Sequence, residues 1–315
     1  MASSRAVTSG ASLPAGKAMV VHSADGTRLH TEVFGPAGGF PVVLAHGITC
    51  AIRFWREQIV DLARDYRVIA FDHRGHGRSG VPAAKNYSLD LLAQDLEAVL
   101  EATVRPDERA VIAGHSMGGI AISAWSDRFR SSVAERAAGV ALVNTTTGDL
   151  LNKIQLLQVP GVFKSARIAA ARTMIHSVGG APLVAGTQPG SRRFLQMMAV
   201  GRGTDPAAVE FLHEMFAATP ATGRGACARI LVDELGPDDY IDLSGLTVPT
   251  LVIGATKDRL LPISQSRVIA ESAPMLTRLV ELPGGHCSPL EHPAAVTRQL
   301  RQLIAASGPA LRASS

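Results

Sequence analysis

The chain has 315 residues, of which 46% are hydrophobic and 18% charged, with a formal net charge of +4. The surplus of 31 Lys and Arg over 27 Asp and Glu is too small to indicate a nucleic-acid partner. No run approaches the roughly 20 apolar residues of a membrane span. Three widely spaced cysteines without a CxxC pair argue against a disulfide framework or a metal site and favour a reducing, cytoplasmic compartment.

Short apolar runs predict the strands of the first half of the chain. Residues 1–17 are rich in Ser, Ala and Gly and are expected to form a disordered tail. The predicted strands are 19–22, 29–34, 42–45, 68–71, 110–113 and 140–143. The sequence SADG between the first two strands predicts an antiparallel hairpin. Helical spacing lies between most of the later ones, as in LDLLAQDLEAVLEAT, where Ser88 is the predicted N-cap.

The pattern becomes helical after Asn144. Strands resume at 248–253 and 278–282, and a last helix begins near Pro293. Apolar strands that alternate with helices predict an α/β fold, with a mostly parallel twisted sheet of about eight strands covered by helices on both faces. The expected domains are a core over 18–145 and 245–306, a helical cap over 146–244 and a flexible tail over 307–315.

The pentapeptide GHSMG, residues 114–118, follows an apolar strand and precedes a helical segment. A sharp strand-to-helix turn strains its central residue and needs small neighbours, which Gly114 and Gly118 provide. Such a turn exposes the Ser116 hydroxyl at the carboxyl edge of the sheet, beside a helix N-terminus that favours negative charge. The pattern predicts a nucleophilic serine, and an ordinary glycine turn is the alternative.

A second glycine turn, LAHGITC at residues 44–50, closes the third predicted strand. Gly47 permits a tight reversal, after which the backbone N–H of Ile48 is expected to face Ser116. With the N–H of Met117 it would form an oxyanion hole of two donors. A strand-end turn in which His46 is packed and hydrogen-bonded is the alternative.

Asp258 and His286 follow the last two predicted strands, in GATKDRLLP and LPGGHCSPLEHP. Serine, aspartate and histidine therefore come in this chain order, each at the carboxyl end of a strand, where open parallel sheets bind ligands. A loop-capping aspartate and a polar loop histidine are the alternatives. His292 competes with His286, but it precedes Pro293 at a helix start and is interpreted as structural.

Together with DHRGHGRS at residues 72–79, these motifs resemble the α/β-hydrolases over about residues 19–305. The resemblance implies that Ser116 is the nucleophile, Asp258 the acid and His286 the base, with the oxyanion donors named above. It also implies that the helical insertion is a cap and that residues 72–79 form a structural network below the pocket. Serine at the turn separates the chain from the haloalkane dehalogenases and epoxide hydrolases, which use aspartate there.

The predicted activity is hydrolysis of a small or lipid-like carboxylic ester through an acyl-enzyme, because a serine activated by histidine attacks acyl carbons. This chemistry calls for no cofactor and no metal. Cofactor-free haloperoxidase or perhydrolase activity and carbon–carbon bond hydrolysis are alternatives on the same triad. A ligand-sensing receptor that retains a slow triad is a further alternative of lower rank.

Charge is divided unevenly within the predicted cap. Residues 150–204 carry seven basic side chains and no acidic ones, whereas residues 205–242 carry eight acidic and two basic ones. The basic stretch suggests peripheral contact of the cap with anionic lipid, although its apolar residues are more simply the core of the cap. The candidate substrate-pocket residues are His46, Cys50, His115 and Cys287. The oligomeric state stays open.

Overall fold

The structure, a computed structural model, describes residues 12–84, 86–153, 164–178, 189–236 and 239–307. Its strands are β1 Lys17–His22, β2 Arg28–Phe34, β3 Pro41–Ala45, β4 Arg67–Phe71, β5 Ala110–His115, β6 Ala137–Val143, β7 Thr250–Ala255 and β8 Leu276–Leu282. They form one eight-stranded sheet in the order β1-β2-β4-β3-β5-β6-β7-β8. The β1–β2 and β2–β4 pairs are antiparallel and the other pairs are parallel, which confirms the predicted α/β fold class.

The predicted strands differ from the observed ones mainly at their ends. The antiparallel β1–β2 hairpin is confirmed, and Lys17, placed by the sequence in the tail, pairs with Val33 as part of β1. β5 extends two residues beyond its predicted end because Gly114 and His115 continue the parallel pairing with β6. β7 begins at Thr250, directly after a proline whose nitrogen lacks the hydrogen that a sheet bond needs.

Helices cover both faces of the sheet, as predicted. Val42, Leu44 and Val111 pack in one apolar cluster with residues of two helices, whereas the alternate strand residues Val43 and Ile112 pack in another. The helices of the first face are α1 Arg56–Leu62 and α12 Pro293–Ser307; those of the second are α2 Leu89–Thr103, α3 Met117–Arg128, α4 Arg130–Arg136 and α10 Ile263–Ser272. A 3-10 turn over Ile52–Trp55 precedes α1, and α11 Ser288–Glu291 precedes α12.

The N-terminus of α2 follows the sequence prediction. The Ser88 hydroxyl accepts a hydrogen bond from the Leu91 amide at 3.1 Å. Leu92, Leu96 and Val99 are fully buried, as the helical spacing requires. Local capping and amphipathic periodicity therefore fix this helix.

Between β6 and β7, the described residues form helices. They are α5 Leu150–Lys153, α6 Lys164–Val178, α7 Pro189–Met198, α8 Pro206–Ala218 and α9 Ala221–Asp233. This is the stretch where the sequence predicts a cap, although residues 154–163, 179–188 and 237–238 of it lie outside the described residues. The terminal residues 1–11 and 308–315 of the predicted tails also lie outside them.

In the folded insertion, basic side chains of its first half form ion pairs with acidic side chains of its second half. Arg172 on α6 pairs with Asp233 on α9 at 2.7 Å, and Arg192 on α7 pairs with Glu210 on α8 at 3.2 Å. The basic and acidic halves of the insertion thus meet each other at these two pairs. Within the part of the chain that the structure describes, no helix has the length and apolar character needed to cross a membrane.

Candidate active site

Ser116 lies on a sharp turn between β5 and α3. Its backbone has φ 52° and ψ −118°. Residues other than glycine rarely adopt a positive φ of this kind. Such strain persists only where the surroundings impose it, and it is found most often at functional sites. The Ser116 amide donates to the Val143 carbonyl of β6 at 3.0 Å, and the Thr145 hydroxyl donates to the Ser116 carbonyl at 2.7 Å.

The two glycines of GHSMG are required by close backbone approach. A Cβ on Gly118 would lie 2.6 Å from the Ala45 carbonyl carbon of β3, and a Cβ on Gly114 would lie 2.5 Å from the Gly118 carbonyl. No side chain fits at these distances without a backbone shift. The pentapeptide therefore forms the tight strand-to-helix turn that the sequence predicts.

The turn after β3 lies directly against Ser116. A Cβ on Gly47 would be 3.1 Å from the Ser116 Cβ, and the turn closes with a hydrogen bond of 3.2 Å from the Cys50 amide to the Gly47 carbonyl. Among the described residues, neither the Ile48 amide nor the Met117 amide donates to a backbone or side-chain acceptor. Within the described residues, neither N–H group is therefore committed to a protein acceptor.

Asp258 and His286 meet at the carboxyl edge of the sheet. The Nδ1 atom of His286 lies 2.8 Å from Oδ2 of Asp258, and both side chains are buried. Oδ1 of Asp258 accepts hydrogen bonds from the Leu260 and Leu261 amides at 2.9 and 2.8 Å. In the described chain, His286 Nε2 and the Ser116 hydroxyl make no hydrogen bond to each other or to another group.

A side chain that the sequence analysis did not select completes the environment of Asp258. Asn144, at the end of β6, donates from Nδ2 to Asp258 Oδ2 at 3.2 Å, and its backbone has φ 45°. Its neighbour Thr145 binds the Ser116 carbonyl, so two consecutive residues contact the acid and the serine turn. The available signal was a run of polar residues, NTTT, directly after a buried strand.

His115 connects the serine turn to the histidine loop. Its Nε2 lies 2.9 Å from the His286 carbonyl, and its ring stacks on Phe54 with centroids 4.4 Å apart. Burial, together with the neighbouring His286 ring, holds the pKa of His115 well below its usual value. His115 is 2% exposed and so lies behind the turn as a neutral ring; its predicted substrate contact stays a prediction.

His46 belongs to a buried group of neutral histidines. Its Nδ1 contacts the Gly47 carbonyl at 2.7 Å, and its Nε2 accepts from the His73 amide at 3.1 Å. Burial lowers the pKa of His46 to about 4 and that of His76 to about 4. The geometry matches the packed, hydrogen-bonded alternative for His46, and a role in the substrate pocket stays a prediction.

The loop over residues 72–79 ties the Gly47 turn to the core. Asp72 accepts from the Ile52 amide and from the Arg78 amide, each at 2.8 Å. Arg74 is fully buried and makes two hydrogen bonds to Asp95, at 2.7 and 2.6 Å. These contacts give the loop the structural role that its resemblance implies.

Cys50 and Cys287 are both buried, at 4% and 2% exposure, and belong to the same apolar cluster. Burial raises the pKa of the Cys50 thiol to about 12, and burial next to Cys50 raises that of Cys287 well above its usual value. Both are therefore neutral, apolar groups. Cys50 also borders a cavity of 310 Å³ that Asp72 and Met215 line.

The sequence profile of the family described as alpha/beta hydrolase fold matches residues 41–293. The chain belongs to this family. The match includes the Ser116 turn, Asp258 and His286, and the α/β-hydrolase fold agrees with the strand order reported above. The protein is accordingly a hydrolase.

Curated relatives cover nearly the whole chain. The chain is 29% identical over 283 residues to the "Putative carbamate hydrolase RutD" of Variovorax paradoxus strain S110, across 88% of this chain and 96% of that one. It is 26% identical over 288 residues to 3-oxoadipate enol-lactonase 2 of Acinetobacter baylyi, across 90% and 95%. The crystal structure of the enol-lactonase from Burkholderia xenovorans LB400 superposes with a TM-score of 0.71 at 22% identity, across 91% and 99%, and supports the fold.

Proposed function

We propose that the protein is a serine hydrolase that cleaves carboxylic esters through an acyl-enzyme, with Ser116, His286 and Asp258 as its triad. The observation that carries the proposal is the His286–Asp258 hydrogen bond of 2.8 Å beside the strained Ser116 turn. His115, the residue before the serine, contacts the His286 backbone carbonyl. The serine turn and the histidine loop, whose contacting residues His115 and His286 are 171 positions apart, therefore lie next to each other.

In the proposed first step, His286 Nε2 removes the proton from the Ser116 hydroxyl as its oxygen attacks the ester carbonyl carbon. Asp258 accepts a hydrogen bond from Nδ1–H, which leaves the lone pair on Nε2 and stabilises the imidazolium that forms. The His286 ring then protonates the leaving alcohol. In the second step it activates a water molecule, which releases the acid and restores the serine.

The developing oxyanion is assigned to the amides of Ile48 and Met117. Both lack an acceptor within the described residues, and the Met117 amide opens α3, whose N-terminus favours negative charge. A strained serine turn with two nearby donors that lack a protein acceptor supports attack on an acyl carbon. The relative named as an enol-lactonase, a cyclic ester hydrolase, is consistent with that class of substrate.

We also propose that the helical insertion over 146–244 is a cap that shapes the substrate pocket, with a small ester as the favoured substrate. Peripheral contact with anionic lipid is the weaker part of the proposal, because two of the basic residues already pair with acidic residues of the insertion. Co-sedimentation with anionic and neutral vesicles tests it. Equal binding to both kinds of vesicle would contradict a preference of the insertion for anionic lipid.

A substrate panel tests the central proposal. Nitrophenyl esters of increasing chain length, a lactone, a nitrophenyl carbamate and a carbon–carbon bond substrate are given to the wild type and to Ser116→Ala. We expect the wild type to hydrolyse esters or lactones fastest and Ser116→Ala to lose turnover by about 10⁴-fold or more. Ester turnover that survives in Ser116→Ala would overturn the assignment.

The remaining outcomes separate the alternatives. If the carbamate is turned over fastest, the substrate class would be carbamates, as in the name of the relative from Variovorax paradoxus. Halide oxidation with peroxide and a small carboxylic acid would favour perhydrolase chemistry. Thermal stabilisation by a ligand with negligible turnover of every substrate would favour the receptor.

A further inference from the structure

The carboxylate of Glu291 holds both backbone amides that flank His286. Its oxygens accept from the Gly285 amide at 3.0 and 3.1 Å and from the Cys287 amide at 3.1 Å. Hydrogen bonds from amides to an ionised acceptor are the stronger kind in proteins. One side chain five positions beyond His286 thus holds the N–H groups of the residues before and after it.

The histidine loop needs such a restraint because it begins with two glycines. Gly284 has φ 98°, and neither Gly284 nor Gly285 has a side chain to limit its backbone. The His286 ring must nevertheless hold Nδ1 at hydrogen-bond distance from Asp258. Without an external tether, the loop would distribute the ring over several positions.

The same carboxylate binds the insertion between β6 and β7. Its Oε2 accepts from the Gly201 amide at 2.7 Å and from the Thr204 hydroxyl at 3.1 Å. Glycine again permits the contact, because a Cβ on Gly285 would lie 2.6 Å from the Gly201 nitrogen. The Cys287 amide also lies 3.1 Å from the Ala199 carbonyl. The insertion and the histidine loop therefore meet backbone to backbone around Glu291.

We propose that Glu291 is the positioning residue for His286 and links the placement of the general base to the attachment of the insertion. The proposal rests on the proposed triad. Glu291 acts through the backbone on both sides of the ring, and it takes no part in proton transfer. Loss of its carboxylate leaves the Gly285 and Gly201 amides without an acceptor among the described residues, whereas the Cys287 amide keeps the Ala199 carbonyl. The glycine loop can then move, so His286 loses its alignment with Ser116.

The test compares Glu291→Ala and Glu291→Gln with Glu281→Gln, a control in which an exposed glutamate loses its pairing with Arg267. The readouts are kcat and KM for a nitrophenyl ester, the rate at which a fluorophosphonate labels Ser116, and the thermal unfolding midpoint. We expect Glu291→Ala to lower kcat and the labelling rate about 10²-fold with KM close to wild type, because misplacement of a reacting group by about 1 Å costs that much.

Glu291→Gln keeps one acceptor oxygen and should recover part of the loss, whereas Glu281→Gln should match the wild type. Wild-type kcat and labelling in both Glu291 variants, even with a lower unfolding midpoint, would overturn the positioning role and leave the triad standing. If Glu291→Ala does not fold, Glu291→Gln decides on the same readouts. Failure of the wild type to label at Ser116 would instead overturn the proposed function itself.

Discussion

Asp258 and His286 are joined by a hydrogen bond of 2.8 Å between Oδ2 and Nδ1, although the two residues follow different strands. The parallel pairing of β7 with β8 brings their carboxyl ends together. Asp258 keeps its other oxygen on two backbone amides, so its carboxylate has a fixed orientation. The hydrogen bond therefore orients the His286 ring and sets which of its two nitrogens carries the proton.

Asp258→Asn should lower kcat about 10⁴-fold with little change in fold. The amide oxygen of the new side chain would stay on the Leu260 and Leu261 amides, which points its NH₂ group at His286 Nδ1. That nitrogen would then have to accept, and the proton would move to Nε2, where the ring can no longer take the proton of Ser116. Ester turnover by the purified variant measures this, and a loss below about tenfold would contradict it.

Asn144→Ala is the matched control for that experiment. It removes from Asp258 Oδ2 one hydrogen bond that a neutral amide donates, and it leaves the His286 bond and both backbone amide bonds in place. We expect a loss of kcat far smaller than that of Asp258→Asn. Equal losses in the two variants would mean that the placement of the Asp258 carboxylate, rather than the tautomer of His286, limits the rate.

The serine turn could be predicted from sequence because its requirements are local. The strain at Ser116 and the close approach of Gly114 to Gly118 arise within the pentapeptide, although Gly118 also lies against Ala45 of β3. The strands could be predicted for the same reason, since buried parallel strands are continuous apolar runs. The order of Ser116, Asp258 and His286 then placed three strand ends at one edge.

Contacts between distant segments could not be predicted in this way. Glu291 accepts a hydrogen bond from the Gly201 amide, 90 positions earlier in the chain. The local sequence LPGGHCSPLEHP does not indicate this partner. The contacts of His115 with Phe54 and with the His286 carbonyl also join segments that are far apart in the chain, and the sequence does not indicate them. The charge division of residues 150–242 suggested a basic surface, but it did not indicate that Arg172 pairs with Asp233.

Gly118→Ala should destabilise the fold and lower activity. The added Cβ would meet the carbonyl of Ala45, a backbone group of a central strand that has little room to move. Overpacking of this kind costs about 1–3 kcal/mol of unfolding free energy. Gly38→Ala is the control, because a Cβ there meets no atom within 4 Å. Urea unfolding of both variants should separate them, and equal stability would contradict the close approach.

Acid should weaken the fold through its buried histidines. Burial lowers the pKa of His46 and His76 to about 4 in the folded protein, whereas an unfolded histidine titrates near 6.5. Between these values the unfolded chain binds more protons, so the free energy of unfolding falls as pH decreases from about 6.5 toward 4. Each ring contributes a slope of up to about 1.4 kcal/mol per pH unit.

Urea unfolding of the wild type and of His76→Leu over this range measures the effect. The variant lacks one titrating ring, so its unfolding free energy should depend less steeply on pH between about 6 and 5. Above about pH 7.5 the two slopes should coincide, since the unfolded rings are then neutral as well. Equal slopes in the acidic range would mean that His76 becomes protonated in the folded state and is solvated there.

The three thiols should resist alkylation in the folded protein. Burial raises the pKa of Cys50 from 9.0 to about 12, which reduces its thiolate fraction at neutral pH about 10³-fold, and thiolate is the reactive form. Burial acts in the same direction on Cys227 and Cys287. We therefore expect mass spectrometry to find little modification by iodoacetamide at neutral pH, with ester turnover retained.

The control is protein in concentrated guanidinium, where all three thiols should react. Rapid modification of Cys50 or Cys287 in the folded protein, with loss of turnover, would place that sulfur on an open wall of the pocket and contradict its burial.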